Sequence, residues 1–188
     1  MAATFNLVML GSPAAGKTAI AKQLSPGYAS TDIDPVTRDS CRAEFSVDSL
    51  PCVLEVIDDA EREEYPELRD HWIREADGFL LVYSVTSRET FEKLAFYPSI
   101  IVRARGGVGA PVVLVGNDCD LISEREVARE EGVEMARKFG CDFVECSART
   151  CANIQRPFFK LVRAIREEKQ RMPPAISAAK GVVNDDTL

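Results

Sequence analysis

Gly11-Ser12-Pro13-Ala14-Ala15-Gly16-Lys17-Thr18 is the stretch on which the fold turns. It fits G-x-x-x-x-G-K-[ST], follows the apolar run Phe5–Leu10, and leads into a helix-compatible run, Ala19–Leu24. Strand, glycine-containing loop and helix in that order form the setting of a phosphate-binding loop. Small residues let the backbone curl with its N–H groups inward, and the helix N-terminus adds partial positive charge. Gly11, Ala14, Ala15, Gly16, Lys17, Thr18 and Ala19 are therefore the expected phosphate-binding residues. Lys17 would reach the β- and γ-phosphates and the Thr18 hydroxyl would ligate Mg²⁺. The plainer alternative is a glycine-containing strand-to-helix turn with no ligand.

Working outward, apolar runs alternate with helical patterns. Phe5–Leu10, Val53–Ile57, Phe79–Ser84, Val112–Val115 and Phe143–Cys146 read as short buried strands, with helices near 17–24, 63–75, 88–104, 124–138 and 154–171. Such alternation predicts a parallel sheet covered by helices on both faces. Cys41–Val47 and Cys52–Ile57 flank Asp48-Ser49-Leu50-Pro51, which reads as a hairpin and adds one antiparallel edge strand. The expected architecture is thus α/β, three-layered, with a mostly parallel six-stranded sheet, and ligands at the carboxyl ends of its strands. Ser123 and Glu126 match a capping box for the helix at 124–138, and Gly140 suits its end. Pro173-Pro174 stops the last helix, so residues 1–172 read as one domain and 173–188 as a disordered tail.

Bulk properties narrow the function. The 188 residues carry a net charge of −7, which argues against nucleic acid as the main partner. No apolar run approaches the roughly 20 residues that span a bilayer. Six cysteines, at 41, 52, 119, 141, 146 and 151, include no C-x-x-C pair and suit reduced thiols in the cytoplasm. The single histidine, His71, reads as a solvated helix residue.

The loop and four further segments together resemble the Ras family of small GTP-binding proteins over roughly residues 4–171. Asp58, at the end of the third strand, matches the family's Mg²⁺-holding aspartate. Asn117-Asp118-Cys119-Asp120 resembles the guanine-reading motif, with Asp120 accepting from guanine N1 and N2 and Asn117 facing the N7/O6 edge. Ser147-Ala148-Arg149 resembles the last element, with the Ala148 N–H aimed at O6. The resemblance implies GTP/GDP and Mg²⁺ as ligands, with Thr18 and Asp58 at the metal. It also implies protein effectors and regulators that engage two switches, 31–41 and 60–75.

The departures fall on the chemistry. Arg62 stands at the position of the family's catalytic glutamine, and arginine has no acceptor with which to orient a water. Glu61 replaces the glycine before it, and Val36 falls where the family has its Mg²⁺-ligating threonine, unless a one-residue shift brings Thr37 into that role. Asp118 replaces a lysine whose stem covers the base, a contact on the order of 1–2 kcal/mol. Pro13 lacks an N–H, and with Ala14 it crowds the approach of an activating protein's arginine.

These changes predict slow or absent GTP hydrolysis, so no catalytic residue is assigned. Asp58 through Asp77 holds nine acidic residues and three arginines, which reads either as a solvated acidic helix or as a surface that selects a basic partner. The ending Asn184–Leu188 carries no C-a-a-X motif, so no prenyl anchor is expected in this chain, and membrane association stays open. Two alternatives remain: a pseudo-GTPase interaction module, and a phosphate-loop nucleoside kinase.

Overall fold

The computed structural model describes residues 2–25, 40–58 and 66–171. The expectations placed on Val36, Thr37, Glu61, Arg62 and the tail from 173 lie outside the described residues.

Along the chain run β1 (Ala3–Leu10), α1 (Lys17–Leu24), β2 (Ser40–Val47), β3 (Leu50–Ile57), α2 (Pro66–Glu75), β4 (Gly78–Ser84), α3 (Arg88–Glu92), α4 (Tyr97–Ala104), β5 (Val112–Asn117), α5 (Arg129–Phe139), β6 (Asp142–Glu145) and α6 (Gln155–Arg171). The strands form one six-stranded sheet in the order β2-β3-β1-β4-β5-β6. All pairings are parallel except β2 with β3. The three-layer arrangement and the single antiparallel edge strand are as the sequence predicts.

Period-two alternation sorts the core into two layers. Leu7 and Met9 of β1, Leu80 and Val82 of β4, and Val113 and Val115 of β5 point to the face covered by α1 (Ile20, Leu24) and α6 (Phe158, Leu161, Ile165). Val8, Leu10, Leu81, Tyr83 and Leu114 point to the other face, under Ile73 of α2, Phe91 of α3, Ile101 of α4 and Ala136 of α5. Burial of each large side chain contributes roughly 1.5–3 kcal/mol.

Three expected boundaries shift, each for a local reason. The hairpin turn is only Asp48-Ser49, with φ of 53° and 64°, and Leu50 and Pro51 join β3. Pro51 is tolerated there because it pairs with Ser46, next to the closing Val47–Leu50 pair, while β1 begins to pair only opposite Cys52. In a two-residue hairpin the second pair is not hydrogen-bonded, so the missing N–H faces the side where β1 has no partner.

The expected helix 88–104 is broken into α3, a 3₁₀ stretch Lys93–Phe96, and α4. Pro98 in the first turn of α4 has no N–H and crowds the preceding turn, which tightens.

The expected helix 124–138 starts only at Arg129. Glu126 and Val127 both donate their N–H to the Val85 carbonyl at 2.9 and 3.0 Å, and Val127 is fully buried. That anchoring holds the backbone out of a helix. Ser123 and Glu126 are consequently not a cap: the Glu126 carboxylate accepts the Arg88 N–H at 2.7 Å. Glu131 instead reaches back to the Ala128 N–H at 2.9 Å, and Gly140 ends the helix in the left-handed conformation.

Candidate nucleotide site

β1 and β3 run parallel with Val8 beside Ile57, so the loop after β1 and Asp58 after β3 emerge at the same edge of the sheet. Two glycines set the loop's path. Gly11 has φ of 143°, and a Cβ there would lie 2.1 Å from the Val82 carbonyl oxygen; at Gly16, φ is 85° and a Cβ would lie 2.3 Å from Asn117 Nδ2. Neither position admits a side chain. Between them Pro13–Ala15 make a single 3₁₀ turn, closed by the Ala15 N–H donating to the Ser12 carbonyl at 2.9 Å.

Lys17, at the start of α1, is 5% exposed, and its Nζ donates to the Gly11 carbonyl and to the Ser12 carbonyl at 3.0 Å. The loop is thus folded over its own lysine, which places a buried cation under it. Thr18 and Ala19 are exposed in the first turn of α1. Asp58 is buried directly after β3. Burial first, and the Asp58 carboxylate second, push the Cys41 thiol up to about 11. Mg²⁺ takes few protein ligands and keeps its waters, so the Thr18 hydroxyl in the first turn of α1 and the Asp58 carboxylate after β3 fit it without a larger acidic cluster. Among the described residues no such cluster of three or more exists.

Asn117 ends β5 with 1% exposure. Its Nδ2 donates to the Ala15 carbonyl at 3.2 Å, and its Oδ1 accepts the Ala148 N–H at 3.1 Å. One side chain therefore ties the phosphate loop to the loop after β6. The Ala148 N–H, expected to face guanine O6, is in this structure directed at Asn117.

That last loop is held from within. The Ser147 N–H donates to the Ala152 carbonyl, and Ser147 Oγ accepts the Thr150 N–H, both at 3.0 Å. Cys151 and Asn153 take positive φ, 61° and 58°, and Asn153 Nδ2 donates to the Glu145 carbonyl at 3.1 Å.

Asp120 receives the Arg149 guanidinium on Oδ2, while Oδ1 is buried without a well-formed hydrogen bond. The Ser147 hydroxyl is the strongest influence holding its carboxyl below the ordinary value, with burial opposing and Arg149 assisting. An ionised carboxylate is acceptor-only, which fits a base edge presenting N–H donors and rejects one presenting a carbonyl. A lysine under a glycine-bracketed loop and this carboxylate together fit a guanine nucleotide.

Sequence reading missed the surroundings of Asp118. With φ of 63°, its Oδ2 accepts from Ser84 Oγ at 2.5 Å, and Ser84 in turn lies 2.8 Å from Thr86 Oγ1. No local window of sequence signals it, because it follows from Ser84 and Asn117 being register partners on adjacent strands. All six cysteines are free, as expected, and His71 is exposed. No helix among the described residues is long and apolar enough to cross a membrane.

The model of the Ras family matches residues 6–167. The chain is 38% identical over 184 residues to Ras-like protein 1 of Pyricularia oryzae, covering 88% of this chain and 76% of that protein. It is 38% identical over 168 residues to the Ras-like protein of Laccaria bicolor, covering 89% and 80%. Protein ras-2 of Neurospora crassa is 37% identical over 186 residues, covering 89% and 81%. With the family model spanning most of its length and relatives at 37–38% identity, the chain belongs to the Ras family of small GTP-binding proteins.

Proposed function

We propose that this chain binds GTP and GDP with Mg²⁺ and acts as a signalling switch whose intrinsic GTP hydrolysis is slow or absent. The observation that carries the binding half is the Asn117 clamp, which joins the phosphate loop and the base loop through one buried side chain. Lys17 and the N–H groups of the Gly11–Ala19 segment would hold the phosphates, Thr18 and Asp58 the Mg²⁺, and Asn117, Asp120, Ser147 and Ala148 the base, with Arg149 beside Asp120 at its entrance. Mg²⁺ would neutralise charge on the phosphate oxygens.

The slow-hydrolysis half rests on Arg62 at the glutamine position and Glu61 before it, with Pro13 and Ala14 exposed where an activator's arginine would enter. Effectors and regulators would engage 31–41 and 60–75. The acidic balance of 58–77 favours a partner with a basic surface. Single-turnover hydrolysis of loaded GTP tests this. The wild type is expected to retain GTP, and Arg62→Gln to hydrolyse it faster. Turnover by the wild type equal to that of Arg62→Gln would refute the role given to Arg62.

One observation favours a second reading, a pseudo-GTPase that does not cycle nucleotide. The Asp118 carboxylate is bonded to Ser84 and supplies none of the cover a lysine stem would give the base. Failure of the purified protein to take up added GDP or GTP would decide for it.

A further inference from the structure

Arg149 and Asp120 meet at the base site in a way that bears on how a base would enter it. The Arg149 side chain is 65% exposed and that of Asp120 15% exposed, and the guanidinium Nη2 donates to Asp120 Oδ2. Oδ1 is buried. Oδ2 is therefore the oxygen open to an arriving donor, and it is already held. Asn117 offers no substitute, because its Nδ2 is engaged by the Ala15 carbonyl and its Oδ1 by the Ala148 N–H.

Resting on the guanine-nucleotide reading above, we propose that Arg149 gates the base site: the base reaches Asp120 only from the fraction of molecules in which the guanidinium has left Oδ2. A long, exposed side chain exchanges rotamers far faster than nucleotide arrives. The gate is then a pre-equilibrium that lowers association rate and affinity by one common factor. An exposed ion pair is weak, so that factor is about two- to five-fold. The dissociation rate is untouched, because Arg149 has already moved aside in the bound state. The choice among bases is untouched as well, since every base that Asp120 reads meets the same closed fraction.

The test is stopped-flow association of fluorescent GDP and fluorescent IDP with the full chain stripped of nucleotide. Wild type, Arg149→Met and Arg156→Met are compared. Arg156 is exposed in the first turn of α6, and its substitution controls for the loss of one positive charge. Arg149→Met is expected to associate about two- to five-fold faster than Arg156→Met, with an unchanged dissociation rate and an unchanged GDP/IDP preference. Raised salt should narrow the gap by screening the pair in the wild type. Equal association rates for the two variants overturn the gate. So does a changed GDP/IDP preference, which would make Arg149 a direct reader of the base. A wild type that binds neither nucleotide at any concentration removes the guanine reading itself, and the gate with it. Binding with equal rates removes the gate alone.

Discussion

Asn117 Nδ2 donates to the Ala15 carbonyl at 3.2 Å across 102 positions of sequence, while the same side chain accepts the Ala148 N–H 31 positions later. The loop after β1 and the loop after β6 are thereby parts of one hydrogen-bonded unit. Gly16 belongs to the same unit, since a Cβ there would clash with the Asn117 amide nitrogen at 2.3 Å.

Asn117→Ala should destabilise the nucleotide-free protein as well as weaken binding. It leaves the buried Ala148 N–H without its acceptor, a loss of about 1–3 kcal/mol. Urea denaturation of the stripped protein measures this. An unchanged midpoint would mean that the clamp forms only with ligand.

Ser49→Gly should stabilise the fold by about 1 kcal/mol, because φ of 64° strains any residue with a Cβ and suits glycine. The gain should appear as a higher denaturation midpoint with unchanged nucleotide binding, since the turn lies at the hairpin tip, far along β2 and β3 from Asp58.

Asp118→Lys should slow nucleotide release by about ten-fold, because it restores a stem over the base and gives up the bond to Ser84. Displacement of fluorescent GDP by excess unlabelled GDP reads the rate. Faster release would indicate that the Ser84–Asp118 bond organises the loop more than a lysine covers the base.

Glu131 should contribute an acid-sensitive part of stability. The Arg88 guanidinium first, and the Ala128 N–H second, lower its carboxyl from 4.5 to about 2. A depressed folded value means stability present above the ordinary value and lost as pH falls from 4.5 toward 2. Denaturation midpoints followed through that window should fall less steeply for Glu131→Gln than for the wild type. Parallel curves would show that the pair persists in the unfolded chain or contributes nothing.

Strands and phosphate loop were legible in the sequence because each is set by local pattern: a period-two or continuous apolar run, and two glycines bracketing a turn. The Asp48-Ser49 turn was read too long, since Leu50-Pro51 looks like loop until the point at which β1 begins to pair is known. Ser123 and Glu126 matched a cap by spacing, yet the chain through Val127 is held extended by the Val85 carbonyl 42 positions away, a partner no local window contains. The Arg149–Asp120 and Ser84–Asp118 contacts were invisible for the same reason: each joins residues far apart in sequence that the sheet alone brings together.

The most direct measurement is to denature freshly purified protein and chromatograph the nucleotide it releases. Bound GTP is the result the proposal predicts, in which the Asn117–Asp120 and Ser147–Arg149 loops would bind guanine and Glu61 and Arg62 would leave hydrolysis slow. GDP as the sole species would contradict slow turnover. A protein that releases nothing and takes up neither GTP nor GDP would contradict nucleotide binding itself.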